Sequence, residues 1–164
     1  MPLTTQQETT LAVGIRASTD PVLVAALAIG DAVTITNWVN QAASPTIKAW
    51  RESVPIVEID EAADYTVFDA VPAGKRDSWG FFLRFSRDFT RNKVRKWVTD
   101  IWGNATAGSS AESILLAAVE NMTNGQQILG AGTVATTGTV SANKRTFAAI
   151  LDITTVSLAL NRNP

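Results

Sequence analysis

The stretch that most constrains the fold is Lys75–Trp102, KRDSWGFFLRFSRDFTRNKVRKWVTDIW. It holds three of the chain's five Trp and four of its six Phe. Lys75, Arg76, Arg84, Arg87, Arg91, Lys93, Arg95 and Lys96 make up eight of the chain's fourteen basic residues. A fold must bury the rings while leaving the charges in water, and a helix does both. Val94, Trp97, Val98, Ile101 and Trp102 fall at i, i+3, i+4, i+7 and i+8, one apolar helical face. Asp88 reads as the N-cap, and Gly103 as the residue beyond the end, where positive φ costs glycine nothing. Arg91, Lys93, Arg95 and Lys96 then occupy the other faces. Asp77–Phe85 reads as a second helix that buries Trp79, Phe82, Leu83 and Phe85. The short Ser86–Asp88 turn between them predicts an antiparallel pair, with the core at these aromatic rings.

Charge is unevenly placed around this pair. Glu52, Glu58, Asp60, Glu61, Asp64 and Asp69 form a block with no basic residue inside it, and the basic stretch follows directly. Such a chain can pair its charges internally, or pair one subunit's acidic face with the next subunit's basic face in a head-to-tail ring. Arg84, Arg87, Arg91, Lys93, Arg95 and Lys96 are the candidate interface or DNA-facing residues. Their second reading is a solvated face, as on most surface helices. Glu58, Asp60, Glu61 and Asp64 are the candidate acidic interface. They could also hold Mg²⁺ or Ca²⁺ through oxygen, but their spacing is not that of a Ca²⁺ loop, and exposed carboxylates are ordinary surface. No metal and no cofactor is expected.

The chain has no Cys and no His. Disulfides, thiolate chemistry and zinc sites built on those residues are excluded, and the commonest acid–base group near neutral pH is missing. The sequence carries no G-x-x-x-x-G-K-[ST], G-x-G-x-x-G or G-x-S-x-G motif. A non-catalytic protein is expected. The net charge of −1 argues against bulk electrostatic attraction to nucleic acid. Residues 1–14 lack the basic and apolar regions of a secretory leader, and the apolar run 22–29 is too short to span a bilayer. Synthesis and assembly in the cytoplasm, without a membrane, are expected.

Along the chain, Thr5 and Glu8 form a capping box opening a helix to Ala17 with Leu11 and Ile15 inward. Asp20–Pro21 pairs a cap with Pro at the first helical position, and the helix it opens ends at Gly30. Asp31 opens a third, with Ile35, Trp38 and Val39 on one side. Ser44–Pro45 repeats the cap-plus-Pro device, predicting a helix with Ile47 and Trp50 that Pro55 ends. Val57 and Ile59 alternate with acids as in an edge strand, and 62–71 reads as a helix stopped by Pro72. Ser109 and Glu112 open a helix that could reach Leu129. Thr133–Val140 and Arg145–Ile153 read as two strands around a turn at Ser141–Lys144, and Thr154–Leu160 either continues the strand or, as the favoured reading, forms a short helix capped near Asp152. The predicted organisation is a helical body, 1–129, and a Thr/Gly-rich β arm, 130–164. The fold class is mainly α, a bundle of short helices with a C-terminal β-hairpin, α+β at the margin. A lone hairpin is marginal in water, so the arm must rest on its own helices or on a neighbouring subunit.

Several segments together carry a family resemblance: LTTQQETTLAVGIRASTDPVLVAALAIGD, ASPTIKAWR, the Lys75–Gly103 block, the tail LGAGTVATTGTVSANKRTFAAILDIT and the polar end NRNP. The A-W-R, the following R-D-x-W and the late I-W-G are the most specific. In these the chain resembles small structural proteins of tailed bacteriophages made beside the major capsid protein, of the head–tail connector or neck kind. The resemblance implies a helical body, a β element near the C-terminus, and a ring of copies on the portal with the DNA channel at its centre. It also implies contacts with the portal and with neck or tail proteins, and no active site. The longer Thr/Gly tail departs from many connectors and leaves a decoration or minor capsid role open. A nucleic-acid-binding accessory protein using residues 75–96 is the other alternative.

Overall fold

The computed structural model describes residues 3–145, 147 and 149–162. In chain order the elements are α1 (Thr5–Ala17), α2 (Pro21–Ile29), α3 (Ala32–Asn40), β1 (Lys48–Trp50), α4 (Ile56–Glu61), a 3₁₀ helix (Tyr65–Ala70), α5 (Ala73–Phe82), α6 (Asn92–Trp102), α7 (Ser110–Ala117), β2 (Val119–Asn121), α8 (Asn124–Ile128), β3 (Ala131–Thr137), β4 (Val140–Arg145) and α9 (Ile153–Arg162). The chain is mainly α with a small mixed sheet. It divides into two compact units, one of residues 1–47, 121–132 and 145–164, the other of 48–120 and 133–144. Residues 130–164 are thus shared between both units.

The first unit packs α1, α2, α3, α8 and α9 around Leu11, Ile15, Leu23, Ile35, Val39, Leu151 and Val156. Its caps are local devices. Thr4, one residue before the expected box, accepts from the Gln7 amide while Gln7 Oε1 accepts from the Thr4 amide. Asp20 accepts from the amides of Val22 and Leu23, and Gly30 ends α2 at φ 69°. Asp152 accepts from the Thr155 amide at the start of α9. The expected strand over 145–153 is not formed at the described positions beyond 145; positions 146 and 148 lie outside the described residues. Phe147 and Leu151 enter the core without a strand, and Leu151 is held by Asn40, whose side chain donates to its carbonyl and accepts from its amide.

The second unit sets α4–α7 around a sheet ordered β2-β1-β4-β3, with β1 parallel to β4 and Ala49 opposite Asn143. Four expectations are corrected here. Ser44–Trp50 does not begin a helix: residues 48–50 are a strand, because β4 on one side and the 118–122 segment on the other satisfy its backbone. The Trp50 indole, fully buried, donates to the Ala135 carbonyl. Pro55 ends no helix but stands at the N-cap of α4, where its fixed φ and missing amide cost nothing; Ile59 turns inward and Val57 outward. The helix from Ser109 stops at Ala117, and β2 and α8 follow, α8 opened by a Thr123–Gln126 capping box. The hairpin turn is Gly138–Thr139, not Ser141–Lys144. A two-residue connection needs positive φ, which Gly138 supplies at φ 60°. A Cβ there would lie 2.2 Å from the Ala105 carbonyl oxygen.

Candidate assembly interface

The structure sorts the basic stretch into structural and exposed members. α5 ends at Phe82. Its last carbonyls, left without helical partners, are capped by Arg87: Nε donates to Phe82 O at 2.8 Å and Nη2 to Phe81 O at 2.9 Å. The same guanidinium lies 4.8 Å from the Phe82 ring and 5.2 Å from Trp97. Burial pulls its pKa below the usual arginine value. Residues Val54 and Arg87 exchange backbone hydrogen bonds, and the Phe89 amide donates to Arg51 O. This clamp drives Phe89 fully into the core.

Arg95 is the largest correction. It was expected on an outer face of α6, yet it is 3 % exposed. Its guanidinium lies 4.8 Å over the Trp50 ring, Nη1 donates to Phe89 O, and Nε donates to Thr137 Oγ1 at 3.2 Å. It is a core cation tying α6 to β1 and β3. Burial lowers its pKa, with Asp88 opposing at a distance. Asp88 is not the N-cap of α6; it accepts from the amide and hydroxyl of Thr90 and pairs with Arg91. The cap position belongs to Arg91, without a side-chain bond.

The remaining basic candidates stay at the surface. Arg91 pairs with Asp88 and Lys96 with Asp100, both exposed local pairs of the kind worth about 0.3–0.5 kcal/mol. Lys93 is exposed. Arg84 lies 5.6 Å from the Phe81 ring. Phe81 and Phe85 are 49 and 60 % exposed, so the expected burial of Phe85 is also corrected. Phe81 and Phe82 are adjacent on one helix, about 100° apart, and only Phe82 can face the core. Arg84, Phe81, Phe85 and the half-buried Trp97 therefore form an aromatic, basic surface patch, with Phe81 and Trp97 6.0 Å apart.

The acidic candidates split the same way. Glu58 binds Arg51 through both carboxylate oxygens, which holds its carboxyl below the ordinary range. Asp60 accepts from the Tyr65 hydroxyl, which in turn accepts from the Trp79 indole at 3.0 Å. Burial first, then this bond to Asp60, raises the Tyr65 pKa. Asp64 caps the 3₁₀ helix through the Thr66 hydroxyl and amide, which lower its pKa. Glu61, Asp64, Glu52 and Asp69 remain exposed. One ion pair, Arg76–Asp69 at 3.3 Å, joins the acidic block to the basic stretch. Among the described residues no group of three or more carboxylates is placed to hold a metal ion. Among the described residues no single helix is long and apolar enough to cross a membrane. No family model, curated protein or solved structure matches the chain.

Proposed function

We propose that the chain is a structural component of a tailed-phage particle, a head–tail connector (adaptor or neck) subunit that assembles as a ring. In this reading it binds the portal on one side and the next neck or tail protein on the other, in virions assembled in the host cytoplasm, and it makes or breaks no bond. The observation that carries the reading is the exposed Phe81–Arg84–Phe85 patch in a unit that also exposes Glu52, Glu61, Asp64 and Asp69. Aromatic residues and Arg are the groups enriched at interface centres. An aromatic, basic patch and an acidic face on one subunit suit a head-to-tail contact, in which each copy gives one face to each neighbour. A decoration or minor capsid subunit would use the same surfaces on a different lattice.

The same patch favours a second reading, a nucleic-acid-binding accessory protein. Exposed rings interleaved with guanidinium groups can stack bases while cations meet phosphates. One experiment separates the two. Sedimentation of the wild-type chain and of Phe85→Ser and Arg84→Glu variants should show a discrete oligomer that both substitutions and added salt weaken. A chain that remains monomeric and binds neither portal nor capsid protein sinks the connector reading. Steeply salt-dependent binding of single-stranded DNA by that monomer, lost in Arg84→Glu, establishes the second reading instead.

A further inference from the structure

The first unit holds a polar pocket of about 340 Å³, walled by the Ser18–Asp20 turn, by Trp38 and the segment after α3, and by the start of α8. Its walls are braced by the protein itself. Ala42 and Thr123 form an antiparallel bridge. The Ala43 amide donates to Met122 O at 2.8 Å, and the Asn124 amide to Gln41 O at 2.9 Å. The Asn124 carboxamide donates to Trp38 O at 2.8 Å, and Ser18 Oγ accepts from the Asp20 amide at 3.2 Å. What stays unused is side-chain chemistry. Among the described residues, the Gln41 carboxamide and the Thr19 and Ser44 hydroxyls, all on the pocket's wall, have no hydrogen-bond partner in the protein. All three residues are exposed, so they keep water until a ligand with matching groups displaces it.

Charge narrows the ligand. Among the described residues none that lines the pocket is basic. Its one charge is the Asp20 carboxylate, which is already engaged: Oδ1 accepts from the Val22 and Leu23 amides, and the Leu23 amide first, then the Trp38 indole, hold the carboxyl below its ordinary range. An anion would meet this carboxylate with no cation to offset it, and a cation would compete with those donors for it. A wholly apolar ligand would strip water from the hydroxyls and carboxamides without replacing its hydrogen bonds. What suits the lining is a small neutral molecule rich in hydroxyls, with an apolar side to set beside Trp38. The volume lies at the lower end of small-ligand sites, about 300–1,000 Å³, room for one ring. We propose that the pocket binds a neutral sugar ring, with Thr19, Gln41 and Ser44 hydrogen-bonding its hydroxyls. The site belongs to the first unit alone and does not rest on the connector reading.

The test is nuclear magnetic resonance on the full-length chain with the methyl glycosides of glucose, galactose, mannose and N-acetylglucosamine. At least one should bind with a Kd of about 1 mM, the strength expected of about a dozen heavy atoms at ordinary ligand efficiency. Of the five Trp indole signals, the one that moves on titration should be that of Trp38, identified by its loss in Trp38→Phe. Gln41→Ala and Ser44→Ala, at exposed positions, should each leave the circular dichroism unchanged and weaken binding about five- to tenfold, the effect of one lost hydrogen bond. Ala42→Phe, which fills the pocket, should abolish it. No saturable binding by any of the four glycosides overturns the proposal. So does binding that moves another indole signal, binding that Gln41→Ala and Ser44→Ala both leave unchanged, or equal binding of inorganic phosphate or spermidine. Arg84→Glu should leave sugar binding unchanged even where it abolishes self-assembly, so failure of the connector reading is told apart from failure of this one.

Discussion

Replacing Arg95 tests whether the basic stretch is a surface or partly a core. Arg95→Ala deletes the buried Cγ and Cδ methylenes, whose burial is worth about 1.5 kcal/mol. It also strands the buried Phe89 carbonyl, which costs about 1–3 kcal/mol, and removes a cation lying 4.8 Å over Trp50, worth up to about 2 kcal/mol when desolvated. Opposing these, Arg95 has no ion pair among the described residues, and removing an unpaired buried charge relieves a desolvation cost of several kcal/mol. The expected net loss is about 2–3 kcal/mol, a fall of roughly 1 M in the urea midpoint for a slope near 2 kcal/mol per M. Arg95→Met keeps the stem and sheds the charge, and should stay within about 1 kcal/mol of the parent. Tryptophan emission is the assay, because Trp50, Trp79, Trp97 and Trp102 all lie in the unit that Arg95 holds and only Trp38 lies outside it. A loss below about 0.5 kcal/mol for Arg95→Ala, the range of ordinary surface substitutions, would return Arg95 to the solvent face and refute the reasoning.

Two further outcomes follow from the geometry. Gly138→Ala combines φ 60° with a contact 2.2 Å from Ala105 O and should cost about 2–4 kcal/mol in urea unfolding, whereas Gly30→Ala, with φ 69° but open space, should cost about 1–2 kcal/mol. The carboxyls of Glu58 (bonded to Arg51), Glu112 (bonded to Thr139 and the Gly108 amide) and Asp31 (bonded to Thr34) are depressed in the folded chain. Their stabilisation is therefore complete above the unfolded carboxylate range near pH 4 and is lost as pH falls through the lower folded values. With no His in the chain, a melting series should run nearly flat from pH 6 to 8 and drop only in acid.

What was legible in the sequence was what is decided locally. Asp20–Pro21, Ser109 and Asp152 start helices through bonds to amides two or three residues away, and Leu11, Ile15, Val98 and Ile101 face inward by helical spacing alone. What failed was decided elsewhere in the chain. Ser44–Pro45 carries the same signal as Asp20–Pro21, but Ala49 and Trp50 are claimed by β4, more than ninety positions away. The polar Ser141–Lys144 looked like a turn, while Gly138 alone could supply the backbone conformation a two-residue hairpin needs. At the candidate interface, charge misdirected the reading of Arg95. Its spacing to Val98 and Trp102, i+3 and i+7, puts it on the apolar face, and that signal was outweighed by its guanidinium. The Phe81–Phe82 doublet held the clue that one ring must stay outside.

The account stands on self-assembly, so the mass of the native full-length particle tests it most directly. Native mass spectrometry over rising protein concentration, alone and with portal protein, should give one closed stoichiometry, either spontaneously or on the portal, that falls apart when Arg84→Glu and Phe85→Ser are combined. A single-chain mass at every concentration, unchanged by portal protein and by both substitutions, would contradict it.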